Sequence, residues 1–582
     1  MKLSDFFAKY IKSIGVKVVF GLQGGAVVHL FDSLEKNKIN VTYTHHEESA
    51  ALAAVSNAKA TNNIGCAVFT TGPGSTNALT GLAAAWQDSV PVIFISGQAR
   101  RSHTSYGKKV RQVGTQEINI CDIVKPITKY TKFIKNKNNF VKELVKAKNI
   151  AISSRPGPVW LDIPIDLQWT DISPNFKLSK NKTKTSLKKN LNKYKKIKSL
   201  LKKSQRPIII MGYGAKDKSN INILDKISKK MNIPFVLTWN SADFFETKHP
   251  YNIGIIGMSG QRGANKAVFK SDLLICVGTH LSIPHTTTLY NQYAPESKKI
   301  IINIDKNQLQ NLNVKFDLKI NDNANNFFQW IKNEKKKYNF KWFNLDALKK
   351  MNWYNIKDKN YPNSNLMIHE LTKKINKKTC IVVDGGGTAL YSAFQSSVIN
   401  KDTKLICSSA ISSMGTGLAE TIGVAQSGIF KEFYCIIGDG SFLMNVQDLQ
   451  TISQYNINVK ILLINNNGYL AIRNTQKEFL QGRYFGTNKK GGLTFPKFKN
   501  IAKTFSIKYL AIKKSSKMKN TLEKIRKTKG PLICEIFISS NQAPLFKQGY
   551  KKIHSNKFHP QPLSEMYPFI NKSSKPVSNT NN

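Results

Sequence analysis

Short apolar runs rich in β-branched residues recur along the chain, and segments with helical spacing of apolar residues separate them. In the first part of the chain, these runs predict strands at residues 16–20, 41–44, 65–70 and 92–96, with helices at residues 26–35, 47–60 and 75–87. An order of strand, helix, strand needs crossover connections and produces parallel sheets with helices on both faces. The pattern therefore predicts an α/β fold made of doubly wound parallel sheets.

Two polar stretches rich in lysine and asparagine interrupt this pattern. Residues 177–203 are predicted to form a linker or an exposed helix, and residues 323–363 a second linker. A chain of 582 residues with 41% hydrophobic residues is also too long for one core. The predicted domains are residues 1–172, 190–335 and 364–550, followed by a tail of residues 551–582 whose last part, 571–582, is expected to be disordered. Apolar runs that begin at residues 207, 234, 272 and 299 predict strands in the second domain, and those that begin at residues 379, 405, 433, 459 and 531 predict strands in the third.

The formal net charge of +53 raises the alternative of a nucleic-acid-binding protein without catalytic activity. Lysine predominates over arginine, the basic residues are spread along the chain, and no nucleic-acid-binding motif is evident. The charge pattern favours a solvated surface that attracts anionic metabolites, and no nucleic-acid partner is expected.

The 7 cysteines are scattered, never form a CxxC pair, and several lie in apolar runs. They are predicted to be buried thiols in a reducing cytoplasm. The first residues lack the features of a signal peptide, and no apolar run is long enough to cross a bilayer, so a cytoplasmic protein without a membrane partner is expected.

The most informative segments are residues 438–441, which read GDGS, and residues 465–468, which read NNNG. Each directly follows an apolar strand, so Asp439 and Asn466 should emerge at the carboxyl ends of two parallel strands, where open α/β sheets bind ligands. A carboxylate, an amide oxygen and a backbone carbonyl are hard ligands that suit Mg²⁺. The helix that opens at Gly440 and Ser441 favours an anion beside them.

This pair of motifs resembles the signature of thiamine diphosphate enzymes, and in particular of the acetolactate synthase catalytic subunits. The resemblance implies that Asp439, Asn466 and the carbonyl of Gly468 bind the metal that holds the cofactor's diphosphate, beside Gly438, Gly440 and Ser441. Residues 384–388, DGGGT, are similar to the family's other diphosphate turn and contribute Gly387 and Thr388. Residues 412–418, SSMGTGL, are similar to the family's GTMGxGLP segment, in which Met414 would bend the cofactor.

The first domain carries further resemblances. Residues 46–50, HEESA, place Glu47 where the family has the glutamate that hydrogen-bonds the pyrimidine N1′ of the cofactor. Residues 71–77, TGPGSTN, with Thr71 and Asn77, and residues 88–91, DSVP, are similar to the family's SGPGxTN and DSxPV segments. Gly25 and Gln98 lie where the family lines its reaction pocket.

The resemblance covers nearly the whole chain and implies three domains of known roles: pyrimidine-binding, central and diphosphate-binding. It implies a carboligase that decarboxylates a 2-keto acid such as pyruvate, transfers the two-carbon unit to a second carbonyl and serves branched-chain amino acid biosynthesis. In relatives the two half-sites come from different subunits, so a homodimer or homotetramer is implied, and a regulatory small subunit is an open alternative.

The chain departs from the family at several positions. It has QGG at residues 23–25 for PGG, and TQE at residues 115–117 for FQE, where the resemblance places Gln116 in the acceptor pocket. Beside Ala471 and Ile472, Thr475 replaces a tryptophan that shapes the acceptor pocket, so the acceptor could be a larger carbonyl compound such as a keto sugar. The central domain has GTHL at residues 278–281 where FAD-binding members have GxRFDDR, which leaves FAD an alternative. A 2-keto acid decarboxylase or oxidase of the same superfamily is the other candidate function.

Overall fold

The computed structural model describes residues 1–173 and 190–570, except residues 335, 337, 339, 343, 354, 355, 357–359, 376, 377, 555 and 556. Three parallel sheets of six strands each organise these residues. Helices cover both faces of each sheet, and the buried strands are almost continuously apolar, as expected where neither face meets water. The predicted fold class, α/β with three doubly wound parallel sheets, is confirmed.

The N-terminal sheet is parallel throughout. Its strands are β1 (Val18–Gly21), β2 (Asn40–Tyr43), β3 (Gly65–Phe69), β4 (Val92–Gln98), β5 (Tyr130–Phe133) and β6 (Val159–Pro164). Its helices are α1 (Leu3–Ser13), α2 (Val28–Lys36), α3 (Glu47–Thr61), α4 (Pro73–Asn77), α5 (Leu79–Gln87), α6 (Ile120–Val124), α7 (Lys137–Ile152) and α8 (Ile165–Gln168). In the strand order β2-β1-β3-β4-β6-β5, the connection from β1 leads to one side of the sheet and the connection from β3 leads to the other. This switch opens a crevice at the carboxyl ends of β1 and β3.

The central sheet repeats this plan. Its strands are β7 (Pro207–Met211), β8 (Phe235–Leu237), β9 (Asn252–Ile255), β10 (Leu273–Val277), β11 (Lys298–Asn303) and β12 (Leu318–Asn321), in the order β12-β11-β10-β7-β8-β9. The helices of this region are α9 (Leu191–Lys203), α10 (Lys218–Met231), α11 (Arg262–Lys270), α12 (Ile283–Thr286), α13 (Lys306–Gln310), α14 (Ala324–Lys332) and α15 (Leu345–Lys350). The glycine turns after β7 and β10 lie in close contact, because a Cβ atom built on Gly212 would be 2.4 Å from the carbonyl oxygen of Gly278.

The C-terminal sheet has the order β14-β13-β15-β16-β18-β17. Its strands are β13 (Thr379–Val383), β14 (Thr403–Ile406), β15 (Glu432–Gly438), β16 (Val459–Asn465), β17 (Lys508–Ile512) and β18 (Leu532–Phe537). Its helices are α16 (Ser364–Thr372), α17 (Gly387–Ser396), α18 (Thr416–Ala425), α19 (Asp439–Met444), α20 (Asp448–Gln454), α21 (Leu470–Phe479), α22 (Phe498–Thr504) and α23 (Met518–Lys527). The direction changes between β13 and β15, so the turn after β13 and the GDGS turn after β15 face the same crevice.

Beyond this sheet, β19 (Tyr550–His554) and β20 (Lys557–Pro560) form an antiparallel hairpin. The chain then returns to the central domain, where the Arg262 side chain donates to the Met566 carbonyl at 3.4 Å. Asn265 of α11 also donates to the sulfur of Met566 at 3.2 Å. The segment after the C-terminal sheet therefore covers one face of α11.

Helices α3 and α18 join the N-terminal and C-terminal domains through one shared hydrophobic core. Gly423 permits this contact, because a Cβ atom at this residue would be 2.0 Å from the carbonyl oxygen of Ala53. The Ser56 hydroxyl also donates to the Glu420 carbonyl at 2.8 Å. The packing also brings the start of α3 against α20, because His45 lies 3.2 Å from the hydroxyl of Thr451.

Some predicted elements differ from the structure. The predicted helix at residues 75–87 is two helices, α4 and α5. The predicted linker at residues 323–363 contains α14, whose Phe327, Phe328 and Ile331 side chains are buried in the central core, so that part of the linker prediction is wrong. Residues 177–189, the first part of the stretch predicted as a linker or exposed helix, and residues 571–582, the predicted disordered tail, lie outside the described residues. Residues 191–203 form α9, which is not simply exposed, because its Tyr194, Ile197 and Leu201 side chains are buried in the central core.

All 7 cysteines are buried and free, as predicted. Burial raises the pKa of the Cys121 thiol to about 12, with the nearby carboxylate of Asp162 adding to this shift. Within the described ranges, no helix combines the length and the apolar character that crossing a bilayer demands.

Candidate active site

The two polar motifs of the C-terminal domain meet at the ends of neighbouring strands, because Gly438 of β15 pairs with Ile464 of β16. The Asp439 carboxylate accepts hydrogen bonds from the backbone N–H groups of Asn466 at 3.0 Å and Gly468 at 3.1 Å. It also accepts from the N–H of Gly440 at 2.9 Å. Burial raises the pKa of Asp439 to about 6, and these three donors limit the shift.

Glycine is required in both turns. Gly468 has a φ of 141°, and a Cβ atom there would be 2.0 Å from the carbonyl oxygen of Thr487. A Cβ atom on Gly440 would be 2.1 Å from the ring of Tyr469. The loop of residues 466–468 is therefore held between Asp439 on one side and Thr487 on the other.

A second buried carboxylate, Asp384, follows β13 and organises the remaining turns. It accepts from the N–H groups of Gly386 at 3.0 Å, Gly415 at 2.9 Å and Gly417 at 3.1 Å. Burial raises its pKa, and hydrogen bonds from Ser441 and these backbone groups oppose the shift. Asp384 therefore ties together the three motif segments that contain residues 384–388, 412–418 and 438–441.

Met414 and Ser441 lie against the glycine turn. A Cβ atom built on Gly386 would be 2.6 Å from the Ser441 hydroxyl and 2.9 Å from Cγ of Met414. Gly387 and Thr388 form the first turn of α17, whose free N–H groups favour an anion. The structure thus brings together all the diphosphate-turn residues predicted from the sequence.

Three of the four predicted acceptor-pocket residues, Ala471, Ile472 and Thr475, lie on α21, whereas Gln116 lies in the N-terminal domain. Ala471 contacts this turn, because a Cβ atom on Gly387 would be 3.4 Å from its methyl group. Ile472 is 52% exposed, and Thr475 is exposed, with its hydroxyl donating to the carbonyl of Ala471 at 3.2 Å. The side of α21 near the candidate site is therefore open in the single chain.

Arg473, which sequence reasoning did not select, clamps the candidate metal loop. Its Nη2 donates to the Asn466 carbonyl at 2.7 Å and to Oδ1 of Asn466 at 3.2 Å. Its Nη1 donates to the carbonyls of Asn467 at 2.9 Å and Thr487 at 3.2 Å. Nothing in the sequence indicated this contact, because an arginine one turn into a helix is ordinarily solvated.

In the N-terminal domain, Glu47 is 7% exposed at the start of α3. Its Oε2 accepts a hydrogen bond from Nδ2 of Asn77 at 3.1 Å. The lack of a side chain at Gly74 leaves room for the carboxylate, because a Cβ atom there would be 3.1 Å from Oε1. Two predicted site residues, Glu47 and Asn77, are thus in direct contact.

Three more predicted residues form a second group nearby. The Thr71 hydroxyl donates to Oε1 of Gln98 at 2.7 Å and lies 3.4 Å from the Gln116 carbonyl. Gln98 is 1% exposed, and its amide nitrogen donates to the Ile118 carbonyl at 2.9 Å and to Asp162 at 3.0 Å. Gln98 therefore orders the segment that carries Gln116, and its role in a reaction pocket stays a prediction.

Gly25 lies at the surface, at the carboxyl end of β1. The neighbouring Gly24 packs against the side chain of Thr70, because a Cβ atom there would be 2.5 Å from that side chain. The turn after β1 and the TGPGSTN turn after β3 therefore meet at the crevice of this sheet. Large apolar side chains beside the crevice, including Val28 at 45%, are exposed.

Within one chain, polar contacts connect the start of α3 with the C-terminal domain. Glu48 is hydrogen-bonded by Thr80 and Asn445, and burial raises its pKa. Asn445 in turn donates to the Gly415 carbonyl at 3.1 Å, next to Met414. His45 and Thr451 also lie 3.2 Å apart. The start of α3 is therefore fixed against the Met414 segment.

The donor chemistry at the strand ends fits Mg²⁺ and a diphosphate. Among the described residues, no group of three or more His, Cys, Asp or Glu side chains could hold a metal, which excludes a zinc-type cluster from that part of the chain. Asp439 is a single carboxylate beside amide and carbonyl oxygens. Its Oδ2 accepts two backbone bonds, but its Oδ1 accepts only the N–H of Gly440 and retains a lone pair for a metal. Ser441 and the first turn of α17 supply donors for an anion beside it.

Comparison with known proteins gives the class of this fold and site. A model described as "Thiamine pyrophosphate enzyme, N-terminal TPP binding domain" matches residues 1–123, the central-domain model matches residues 194–331, and the "C-terminal TPP binding domain" model matches residues 384–536. Thiamine pyrophosphate is another name for thiamine diphosphate. The chain belongs to the thiamine pyrophosphate enzyme family.

Curated relatives narrow the likeness further. The acetolactate synthase large subunit of Cyanidium caldarium is 30% identical over 560 residues, covering 92% of this chain and 93% of the relative. The acetolactate synthase isozyme 2 large subunit of Escherichia coli (strain K12) is 28% identical over 549 residues, covering 93% and 96%. The probable acetolactate synthase large subunit of Methanocaldococcus jannaschii is 29% identical over 571 residues, covering 93% of each chain. The protein is thus a thiamine diphosphate-dependent enzyme similar to acetolactate synthase large subunits.

Proposed function

We propose that the protein is a Mg²⁺-dependent carboligase that decarboxylates a 2-keto acid, with pyruvate as donor, and transfers the two-carbon unit to a second carbonyl compound. The observation that carries this proposal is the hydrogen bonding of Asp439 to the Asn466 to Gly468 loop at two neighbouring strand ends. The names of the relatives support acetolactate synthesis as the reaction type.

Each group of site residues has a proposed role. Asp439, Oδ1 of Asn466 and the Gly468 carbonyl would hold Mg²⁺, and Arg473 orients Asn466. The N–H groups of Gly387, Thr388 and Ser441 would donate to the diphosphate, and Met414 would contact the bound cofactor. Gly440, whose own N–H donates to Asp439, would border the diphosphate without donating to it. When bound, the cofactor supplies a nucleophilic carbon and an electron sink for the loss of carbon dioxide.

Glu47 would hold a proton at the pyrimidine N1′ of the cofactor. Asn77 holds the Glu47 carboxylate in one orientation. Glu47 would therefore lose little conformational freedom when it binds the cofactor. Because Glu47 is nearly buried, its hydrogen bond to the cofactor would form in a weakly screened environment. Gly25, Gln98 and Gln116 are proposed to border the substrate.

The open side of α21 favours a second candidate acceptor. Thr475 is exposed and Ile472 is half exposed, so no large aromatic residue closes the site at these positions. A keto sugar could enter a space of this kind, whereas a tryptophan would exclude it. Acceptors larger than pyruvate or 2-ketobutyrate therefore belong in the same assay.

The assembly and cofactor content are also proposed. Exposed apolar side chains near Gly25 and Gln116, namely Val28, Val110 and Val113, support a second copy covering the crevice in a homodimer or a larger homo-oligomer. The relatives are named large subunits, which supports a small regulatory partner. We also propose domain boundaries at residues 172, 190, 335 and 364 and a cytoplasmic location. A bound FAD is a further proposal, which an absorbance spectrum of the purified protein tests.

Product analysis tests the reaction. The purified protein is incubated with pyruvate, thiamine diphosphate and Mg²⁺, with and without 2-ketobutyrate or a keto sugar, and the products are identified by mass spectrometry. A carboligase gives acetolactate or a longer hydroxy ketone. Acetaldehyde or acetate alone would instead identify a decarboxylase or an oxidase, and no turnover with any 2-keto acid would refute the enzyme proposal.

Replacement of Glu47 tests its proposed role. We expect Glu47→Gln to lower kcat by about 100-fold or more, because the amide cannot exchange a proton with N1′. Cofactor affinity, measured by isothermal titration calorimetry, should change much less. Glu35→Gln, at an exposed residue of α2, is the matched control and should leave kcat unchanged. Unchanged turnover in Glu47→Gln would remove Glu47 from the site.

A further inference from the structure

A cleft of about 560 Å³ lies beside the candidate metal loop, between α21 and residues 484–495. Asn467, the middle residue of the loop, forms part of its wall, but none of the residues proposed to contact the diphosphate does. The cleft is therefore adjacent to the cofactor site and separate from it.

The lining of the cleft is strongly cationic. Arg473, Lys477, Lys489 and Lys490 all line it, and no acidic residue does. The nearest acidic side chain along α21, Glu478, is paired with Lys547 instead. Lysine is common over the whole surface, but a concave wall of one charge sign focuses the field far more than the same charges on a convex surface.

The other lining groups suit an organic ligand. The ring of Tyr484 is 40% exposed, and Phe495 also borders the cleft. Asn467 and Asn474 present amide groups that can donate to and accept from hydroxyls. The cationic side chains suit an anionic group, the aromatic rings suit an apolar face, and the amides suit hydroxyl groups. This combination matches a phosphorylated sugar or polyol more closely than an inorganic ion.

Arg473 connects this cleft to the metal loop. Arg473 lines the cleft, and its guanidinium donates to the Asn466 carbonyl at 2.7 Å and to Oδ1 of Asn466 at 3.2 Å. An anion that attracts this guanidinium would change the orientation of Asn466. Binding in the cleft should therefore change the affinity for Mg²⁺ as well, since such coupling is reciprocal.

We propose that this cleft binds an organic phosphate. The proposal goes beyond the proposed carboligase reaction, because it concerns a second ligand site, and only its acceptor alternative rests on the proposed function. The phosphate would belong either to the acceptor substrate, whose carbonyl then reaches the cofactor, or to an effector.

Calorimetric titration of the holoenzyme, loaded with thiamine diphosphate and Mg²⁺, tests binding directly. Glycerol 3-phosphate is the probe and glycerol its uncharged control. We expect glycerol 3-phosphate to bind and glycerol not to bind, with Kd rising several-fold between about 50 and 300 mM NaCl because salt screens the contacts. In the Lys489→Gln, Lys490→Gln double variant, Kd should rise about tenfold or more, since each lysine loses a charge-assisted contact.

The matched control is the Lys499→Gln, Lys503→Gln double variant. Both lysines are exposed on α22 and lie outside the cleft, so this variant removes the same total charge from the same domain. Its Kd should stay within about twofold of the wild type. Equal weakening in both double variants would show a general charge effect and overturn the proposal, and so would the absence of saturable binding. Circular dichroism confirms that both variants are folded.

Turnover separates the two sources of the phosphate. With pyruvate as donor, glyceraldehyde 3-phosphate is compared with glyceraldehyde as acceptor. If the phosphate belongs to the acceptor, the phosphorylated aldehyde is consumed faster, and the lysine double variant in the cleft loses this advantage. If it belongs to an effector, glycerol 3-phosphate instead shifts the Mg²⁺ affinity of the wild type without any phosphorylated compound being consumed.

The calorimetric result is independent of the carboligase reaction. Turnover of pyruvate without phosphate binding would overturn the cleft proposal and leave the proposed function intact. Phosphate binding without turnover of any 2-keto acid would support the cleft proposal and refute the proposed carboligase function.

Discussion

Asp384 orders several turns of the candidate site without being assigned to any ligand. Its carboxylate accepts three backbone hydrogen bonds from two glycine-rich segments, so residues 386, 415 and 417 share one acceptor. A buried charge of this kind is tolerated only when such donors surround it. The arrangement fixes Met414 relative to Gly386 before any cofactor binds.

Gly468 is the residue at which backbone conformation matters most. With a φ of 141° and Thr487 O only 2.0 Å from a hypothetical Cβ, Gly468→Ala should displace the loop and weaken Mg²⁺ binding by about tenfold or more. A Mg²⁺ titration in the presence of thiamine diphosphate measures this. Gly428→Ala is the control, because Gly428 has a φ of 68° and open space around it. It should cost about 1 kcal/mol of stability and leave Mg²⁺ affinity unchanged.

Asp162 makes stability depend on pH. It is fully buried beneath Gln98, and burial raises its pKa to about 7, although Ser96, Gln98 and Tyr106 donate to it. Because the folded-state pKa exceeds the unfolded value, this group favours folding most below about pH 4, and that contribution is lost as pH rises through about 7. The slope from this one group is at most about 1.4 kcal/mol per pH unit.

Asp162→Asn should remove this dependence. The amide oxygen can still accept from Gln98 and Tyr106, and the amide nitrogen can donate to Ser96. Urea unfolding between pH 5 and 8 should therefore show the variant gaining stability relative to the wild type as pH rises. A constant difference between the two proteins across this range would contradict the assignment.

At the scale of elements, helix α3 is the contact between domains. Lys59, near its C-terminal end, donates to Asp88 at 2.7 Å and to the Cys407 carbonyl at 2.9 Å. Asn240 of the central domain donates to the same Asp88 carboxylate at 2.9 Å. Burial alone would lower the pKa of Lys59, but Asp88 and Glu420 outweigh it and raise that pKa. All three domains therefore meet at one buried ion pair.

Lys59→Met should destabilise the protein by about 3 to 5 kcal/mol, because it leaves the Asp88 charge buried without its cation. Chemical denaturation monitored by fluorescence measures the loss. The double variant Lys59→Met, Asp88→Asn should recover part of it, since the uncompensated charge is gone. The control Lys229→Met breaks an exposed pair with Asp225 and should cost no more than about 1 kcal/mol. Equal losses of unfolding free energy in Lys59→Met and Lys229→Met would show that the ion pair at the domain junction contributes little to stability.

At the scale of the whole molecule, cofactor binding and stability are linked. A ligand that binds only the folded state at about 100 times its Kd stabilises that state by about 2.7 kcal/mol. We expect thiamine diphosphate with Mg²⁺ to raise the Tm of the wild type and EDTA to reverse the rise. Asp439→Ala should abolish the shift, whereas Asp346→Ala, at an exposed residue of α15, should retain it. A full shift in Asp439→Ala would exclude Asp439 as a metal ligand.

The sequence determined the fold class and the strand ends that carry the site. Inner strands such as β15 and β16 are continuous apolar runs, because both faces are buried, and this pattern is local. Edge strands were missed in all three sheets. β5, β12 and β17 are partly exposed and carry lysines, and β9 is short and contains Gly254, so none of them has such a run. β6 was missed because Asp162 interrupts its apolar residues.

The motifs also located Asp439, Asn466 and Gly468, since residues directly after neighbouring parallel strands must emerge at one edge of the sheet. Only the tertiary structure showed the clamp of Arg473, the shared acceptor at Asp384 and the three-domain junction at Asp88. These contacts depend on segments far apart in the chain approaching within hydrogen-bond distance. Local periodicity carries no information about such approach, because it is decided by how the three sheets pack.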